Sequence, residues 1–503
     1  MAANLLVDRN KFQLQKVIAQ STQEVTVPAS LPVPDNVQYL LKPILFPVGM
    51  ESVQIDNGKV RVQGQLGGLV CGINEDESVI PIGVEPVQYS ASFPLPMVCE
   101  TDRVMVDAVV ETVEVDKDEQ GRANIIAFVS VTVTVSRIEE VSLVTDVSGA
   151  KDVEKEEQTL QVIVCTAEEL RELNHQVGLP VPAEQILATQ VQVTNLNWQV
   201  LESQVAVEGK VSGVIYFAQQ TKKQLATRMF EREFSHTLPV EGEVSEAIVT
   251  CAPQLASAIL NSNNSGVDLT INLGLYVQGY REVRLELLSG VGGADFETIS
   301  FAVTNRVGES EFRMNLDGHF QISEESATVL SAIPEVRVLE TTALDEKIMV
   351  RGVLSLLIFY AVDDETTRAI VREDEFNQFF ALSGSVTGMT AQAQAWCEES
   401  SFVLENGEVQ YTVPALFRVD VKESLELNPI VDLHIVDPHA VRANASVVLY
   451  RTQTGENLFA VAKKFNVTQQ MLRDCNRVPE GEQLPAGTKL TIPLYLAKYN
   501  KEV

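Results

Sequence analysis

Positive charge is scarce in this sequence: 38 Lys and Arg stand against 69 Asp and Glu, a formal net charge of −31. Such a surface repels nucleic acid and anionic membranes, favours basic partners or cations, and keeps a chain soluble. Cysteine is sparse too. The six cysteines (71, 99, 165, 251, 397 and 475) lie far apart with no C-x-x-C pair, so they read as reduced core thiols rather than a disulfide framework or a zinc site. No run of eighteen apolar residues occurs, and the opening MAANLLVDRNKFQLQ lacks the apolar core of a secretion signal. The expectation is no membrane span and a place in the cytosol of the producing cell. The five histidines come without H-E-x-x-H, and neither G-x-S-x-G nor G-x-x-x-x-G-K-[ST] is present. That leaves no catalytic constellation, and neither an enzyme activity, a cofactor nor a metal is expected. Asp432, His434, Asp437 and His439 have metal-ligand residue types, but they read as the solvated end of a unit.

What the chain does have is a strand written three times. Residues 204–217 (QVAVEGKVSGVIYF) return as 59–71 (KVRVQGQLGGLVC) and 347–360 (KIMVRGVLSLLIFY). In the middle copy Val205, Val207, Val211, Ile215 and Phe217 alternate with Ala206, Glu208, Lys210, Ser212 and Tyr216, the period of a strand with one buried face. Gly64, Gly209 and Gly352 occupy the same step, where a missing side chain suits a bulge or a close approach of neighbours. They are spaced 145 and 143 residues apart, which indicates three tandem domains rather than a short solenoid repeat. The chain is 503 residues long and 45% hydrophobic, with mean hydropathy +0.06, enough to give each unit a core and the whole about three or four domains.

Other landmarks keep nearly the same period. LQKVIAQST from position 14 answers LQVIVCT from position 160, and LPVP appears at 31–34 and 179–182. Prolines two apart suit neither helix nor central strand, so LPVP reads as an extended connector into the next strand. A Phe-led stretch follows the repeated strand at 93–96, 234–239 and 376–382. Each unit then closes with a hairpin whose turn (Glu119-Gln120-Gly121, Asn264-Ser265-Gly266, Glu405-Asn406-Gly407) puts glycine where positive φ is expected; Asp56-Asn57-Gly58 opens the first copy similarly. The closing strands alternate through Ile125 to Val133, Val267 to Leu275 and Val409 to Phe417, with Pro414 marking an edge or a bulge. Trp198 and Trp396 read as core residues. Thr166-Ala167-Glu168-Glu169 has capping-box form ahead of Leu170, Leu173 and Val177, which predicts a short helix after the charged, solvated run 151–157. The glycine-rich stretch 289–294 reads as a bend between hinged domains. The fold class is mainly β: three tandem antiparallel β domains, sandwich-like or barrel-like, over residues 10–150, 155–290 and 295–438.

The last sixty residues follow another grammar. Leu458, Val461, Ala462 and Phe465 form one helical stripe capped by Asn457; Met471, Leu472 and Cys475 form a second capped by Thr468, with strands at 447–452 and 489–493. Through Tyr450, Gly455, Leu458, Ala462, Phe465, Val467, Leu472, Asn476, Leu484, Gly487, Leu490, Ile492 and Pro493 this βααβ tail, residues 446–495, resembles a LysM domain. The resemblance implies a shallow groove for N-acetylglucosamine polymers such as peptidoglycan. Its walls would be Thr454, Gly455, Glu456, Asn457 and Leu458 on one side and Arg477, Val478, Pro479, Glu480 and Gly481 on the other. The usual G-D-[ST]-L reads Gly455-Glu456-Asn457-Leu458 here, and Thr452 replaces a hydrophobic residue.

With that tail in place, the LPVP connector, the V-x-G strand and the later L-P resemble, as an ordered set, the SPOCS-domain spore coat proteins of the SipL type. The resemblance implies a non-catalytic structural adaptor made in the mother cell of a sporulating bacterium and placed at the forespore surface. Its LysM end would join the coat's basal-layer ATPase (SpoIVA-like) or another coat protein, and its β domains would offer sheet edges for self-association. Two alternatives stand beside it: a cell-wall or cortex protein gripping peptidoglycan, and a phage or contractile-tail baseplate component with a LysM hub.

Overall fold

Strict alternation and β-branched composition make almost the entire chain extended. The computed structural model describes residues 6–56, 58–148, 152–220, 224–244, 246–263, 266–291, 294–322, 327–362, 366–435, 447–454, 456–465, 467–478 and 484–493. The first unit comprises β1 (Leu6–Pro32), β2 (Val37–Leu40), β3 (Ile44–Asp56), β4 (Lys59–Asn74), β5 (Val79–Pro94), β6 (Arg103–Lys117) and β7 (Arg122–Ser148). The second comprises β8 (Val153–Gly178), β9 (Ala183–Val200), β10 (Gln204–Gln219), β11 (Leu225–Pro239), β12 (Glu241–Gly242), β13 (Ile248–Asn263) and β14 (Gly266–Val291). After β15 (Ala294–Thr298), the third runs through β16 (Phe301–Gln321), β17 (Thr328–Leu344), β18 (Lys347–Ala361), β19 (Thr367–Ala381), β20 (Thr390–Cys397), β21 (Ser401–Glu405), β22 (Glu408–Leu427) and β23 (Ile430–Ile435).

Each unit is an antiparallel sandwich. One layer is built on the repeated strand (β3-β4-β5, β9-β10-β11, β17-β18-β19), and the other on a pair of long strands with an edge strand (β1-β7-β6, β8-β14-β13, β16-β22-β20). The expected alternation fills the space between them: Val60 and Val62 face Val129 and Val131, with equivalent clusters in the other two units. Pairing between the layers would close a barrel, and the ladders of the described residues keep them as separate sheets within each unit.

The three repeated glycines serve one local device. Gly64 lies across from Tyr89, Gly209 from Phe234 and Gly352 from Phe376, and a Cβ on any of them would fall within 2.7 Å of that aromatic side chain. At the same step the strand on the other side carries one extra residue, between Met50 and Ser52, Thr194 and Asn197, and Val338 and Glu340. Bulge and close approach thus occur together, and the ring lying over the glycine covers backbone the glycine leaves bare.

The units do not hinge; they close around an approximate three-fold axis. At the axis, β1 meets β8 at Leu14↔Val162 and β16 at Lys16↔Val303. The equivalent residues Leu14, Leu160 and Val303 pack there with another equivalent set, Leu143, Leu285 and Leu427. A second shared core joins the outer faces of the three repeat-strand sheets, where Leu69, Val214 and Leu357 meet Cys71, Tyr216 and Phe359. Polar ties cross the boundaries as well: the Asn305 and Gln161 side chains each bond the other's strand, and Lys42 reaches Glu373 at 3.0 Å. Apolar areas this continuous make relative motion costly, which overrides the expectation drawn from the glycine-rich junction. Within that junction, Gly290 belongs to β14.

Other expectations change in the structure. Residues 166–177 are strand, not helix, because β8 pairs with β14 from Val153 to Gly178. Leu170, placed on the helical stripe, is 64% exposed. Leu173 and Val177 of that stripe do face the core, but they alternate along the strand with inward Glu169, Arg171 and His175; Glu169 meets His236 at 2.9 Å, Arg171 donates to the same ring, and His175 packs on Phe230. Charged residues on an inner face hid the period of two. Residues 153–157 likewise belong to β8, with Lys155 between Asp146 and Glu286. Gly58, Gly121 and Gly407 have the expected positive φ, whereas Gly266 does not; there a Cβ would lie 2.5 Å from the Val177 carbonyl oxygen. Pro414 sits where the partner strand passes from β20 to β21, with its carbonyl accepting from the Glu398 amide on that side. The bulge there removes the need for the missing N–H. All six cysteines are free, but Cys99 and Cys475 are exposed rather than core.

Three substitutions test this framework. Gly352→Ala drives a Cβ to 2.3 Å from the Arg337 carbonyl oxygen, while Gly64→Ala first meets the movable Tyr89 ring. Gly352→Ala is therefore expected to lower the unfolding free energy by about 2–3 kcal/mol and Gly64→Ala by about 1 kcal/mol; a reversed order in urea denaturation contradicts the packing described. Asp102, its side chain fully buried, accepts from Arg137 Nε at 2.5 Å and Nη2 at 2.8 Å. Asp102→Ala removes these bonds and leaves the partly exposed Arg137 with Glu139 and the Met97 carbonyl, a loss of about 1–3 kcal/mol read as a lower urea midpoint.

Candidate functional site

The chain's only described helices belong to its C-terminal domain. Strand β24 (Val447–Arg451) pairs with β25 (Lys489–Pro493), enclosing α1 (Leu458–Phe465) and α2 (Gln469–Asn476). Asn457 Oδ1 accepts the Ala460 amide and Thr468 Oγ1 the Met471 amide, so each helix starts at the residue whose side chain can cap it. Arg477 ends α2 in the left-handed region at φ 54°. Leu458, Val461, Ala462, Val467, Leu472, Leu490 and Ile492 form the core. Asn476 joins helix to sheet, donating to the Leu472 and Thr491 carbonyls and accepting the Thr491 amide.

The first candidate loop is tied from within. Both Glu456 carboxylate oxygens accept from the Tyr450 hydroxyl (2.8 and 2.7 Å), and Oε2 also accepts the Gln453 amide at 2.8 Å. Lys464 Nζ donates to the Tyr450 oxygen at 2.8 Å and lies 3.5 Å from Glu456. The Gln453 amide, then the Tyr450 hydroxyl and the Lys464 charge, hold the Glu456 carboxyl below its usual range against some desolvation. Tyr450 itself is held edge-on by Phe465, 5.0 Å between ring centres. No sequence pattern announces this triad, since Tyr450 and Lys464 sit on different elements.

The departures from the LysM pattern are taken up by the fold. Glu456 supplies the loop tie, and Asn457 supplies the helix cap. Buried Thr452 donates to the Pro485 carbonyl at 2.8 Å and accepts the Thr488 amide at 2.9 Å, so its hydroxyl is satisfied where an apolar group is usual. Of the ten groove positions named from sequence, Thr454, Asn457 and Arg477 are exposed, Glu456 and Val478 are half-buried, and Leu458 lies in the core. Gly455, Pro479, Glu480 and Gly481 lie outside the described residues. So do Asp437 and His439 of the acidic cluster; its Asp432 pairs with Arg9 at 2.5 Å. Among the described residues, no group of three or more potential ligands is placed to hold a metal.

The two helices of this domain rest on the β body. Gly290 lies beneath the Phe459 ring, where a Cβ would fall 2.3 Å from it. Lys463 Nζ sits 3.7 Å from the Phe296 ring centre, and Asp152 accepts the Gln469 amide at the N-terminal end of α2 at 3.1 Å, where a carboxylate is favoured. These seat residues were not foreseen. Only the glycine richness around Gly290 hinted at a close approach.

Comparison with known families agrees with this division. Residues 450–493 match the LysM domain model, and residues 327–405, from β17 through β21, match the model described as SipL, SPOCS domain. No significant match is found among curated proteins or among solved structures. Both matched families are binding and structural domains, LysM being of the peptidoglycan-binding type and SPOCS being associated with the spore coat. Among the described residues, no helix is long and apolar enough to cross a membrane. The chain carries a SPOCS domain in its third unit followed by a C-terminal LysM domain, the SipL-type arrangement.

Proposed function

We propose that this protein is a non-catalytic adaptor of the bacterial endospore envelope, held at the forespore surface on the mother-cell side. Residues 10–150, 155–290 and 295–438 are three SPOCS-like repeats forming its body, and residues 446–495 are its docking head. The repetition of one sandwich with the same glycine, bulge and aromatic ring supports extending the SPOCS assignment to the first two units. The observation that carries the adaptor reading is the seating of the LysM domain: its helices rest on Gly290, Phe296 and Asp152, while Thr454, Asn457 and Arg477 remain exposed. A head held in this way presents its groove at a fixed orientation to the body. The partner in this reading is a basal-layer coat ATPase of the SpoIVA type or another coat protein. Retained glycan binding is the second reading, favoured by the way Glu456, Asn457 and Thr452 rebuild the loop from within.

The test is a pull-down of the full chain against insoluble peptidoglycan and, separately, the purified SpoIVA-type ATPase, with Thr454→Phe to obstruct the groove mouth. The adaptor reading expects capture of the ATPase, lost in the variant. Retention on peptidoglycan alone, lost in the same variant, replaces it with the glycan reading. Groove binding should also fail in acid. The Glu456 carboxyl titrates below its ordinary 4.5 in the folded chain, so the stability its tie adds is complete above that value and disappears as pH falls through the lowered one. Capture measured as pH is lowered from about 7 is expected to hold down to the ordinary 4.5 and to decline somewhere below it; a Glu456→Gln variant with the same capture and the same pH profile removes Glu456 from the role assigned to it.

A further inference from the structure

Two neighbouring cavities of about 410 and 580 Å³ open along the seam between the second and third units, both within the roughly 300–1,000 Å³ usual for small-molecule sites. Their shared residue is Asn195, on the bulge opposite Gly209, with φ 52° and its Oδ1 accepting Arg313 Nη2 at 2.6 Å. The larger cavity is lined by Trp198, Asn197, Thr250 and Ser310, the smaller by Gln190, Gln192 and Ser212. Arg418 stands between the chain's two tryptophans, lining the larger cavity with Trp198 and lying 5.3 Å from the Trp396 ring centre.

Approximate symmetry shows why this seam is open. Between the first and second units, Arg103 stacks on the Tyr276 ring at 3.1 Å and pairs with Glu168. Ladder register places Arg103 across from Ser136 and Thr250 across from Gln278, and Ser136 and Gln278 are equivalent positions of β7 and β14. Thr250 therefore stands at the second seam where Arg103 stands at the first, and Arg418 occupies the place of Tyr276. A short hydroxyl side chain leaves the space a stacked arginine would fill.

The lining chemistry selects the ligand. Every lining cation is matched by a carboxylate: Arg418 with Glu311 at 2.6 Å, Arg306 with Asp420 at 3.1 Å, Arg313 with Glu398 at 3.1 Å and Lys210 with Glu231 at 2.8 Å. A polyanion needs cations not already engaged, and of the lining carboxylates among the described residues only the exposed Glu399 stands outside an ion pair, too little charge to select a basic peptide. What remains is a set of planar amides and hydroxyls beside an indole, with donors and acceptors in both directions. We propose that the seam between the second and third units is a binding site for a neutral, hydroxyl-rich saccharide, distinct from the LysM groove.

Trp198 lines the larger cavity, Trp396 lies beside the lining Arg418, and the LysM domain has no tryptophan, so a ligand in this seam is read by tryptophan emission of the full chain. The chain is titrated with the N-acetylglucosamine tetramer and with maltotetraose. The expected result is a saturable emission change with at least one saccharide, its affinity falling about tenfold or more in Thr250→Phe and in Ser310→Phe, which fill the cavity from opposite walls. Thr454→Phe should leave it unchanged, which separates failure here from failure of the LysM reading. Thermal melting identifies any variant that has not folded, and the other wall's variant then decides. No emission change up to millimolar saccharide, an unchanged affinity in both folded fillers, or a response to neutral peptides but not to saccharides overturns the proposal.

Discussion

Everything in the body depends on one apolar contact set, the meeting of Leu14, Leu160 and Val303 with Leu143, Leu285 and Leu427 at the axis. These six residues come from three units and are all nearly inaccessible to solvent. Each buried side chain contributes about 1.5–3 kcal/mol, and the share that comes from contacts with the other units is lost to an isolated one. The long strands cross there, so their register along β1-β7, β8-β14 and β16-β22 is fixed by where the leucines must lie. The outer faces of the repeat-strand sheets then have only one another to cover Leu69, Val214 and Leu357. The LysM seat at Gly290 and Phe296 lies at the end of β14 and on β15, so the docking head inherits its position from the same closure.

The sequence made the repeated antiparallel β units legible, with sandwich and barrel left open, and the assembly illegible, for a physical reason. Alternation around Val205 or Val267 reports a local event, one side chain pointing in and the next out, and the structure follows it. The landmark shared by positions 14 and 160 was visible as well, but nothing in a list of residues says that Leu14 and Leu160 touch. A repeat distance is compatible with beads on a string or with a closed ring; the choice rests on outer-face residues such as Tyr216 and Phe359, which alternation alone assigns to neither state. The misread helix at 166–177 has the opposite cause. Its inner face is closed by Glu169, Arg171 and His236, so polar residues occupy core-facing positions and local capping signals prevailed over a ladder that only tertiary pairing supplies.

In the LysM domain the local signals were sufficient for the fold, since caps, stripes and turn residues act within a few positions of themselves. Asn457 and Thr468 cap as expected, and Leu458 belongs to the stripe that builds the core. The groove is less legible. Glu456 and Thr452 look like damage to a sugar loop when set against a pattern, yet each is a structural replacement whose partners, Tyr450, Gln453, Pro485 and Thr488, become known only once the strands are paired. A departure at a loop position therefore says little about function until its hydrogen bonds have been followed.

Charge gives the last constraint. With 31 more acidic than basic side chains, cations are the limiting resource, and the structure places many of them at boundaries: Arg9 to Asp432, Lys42 to Glu373, Arg103 to Glu168 and Arg368 to Glu77 all join different units. Pairs as exposed as these contribute about 0–1 kcal/mol each, too little to hold units that the apolar clusters already hold. Their effect is on which arrangement forms. Uncompensated carboxylates brought together at a boundary would repel, so each basic residue there permits one juxtaposition of acidic surfaces and leaves the others unfavourable. The acidic surplus left outside the seams favours a partner that brings its own positive charge.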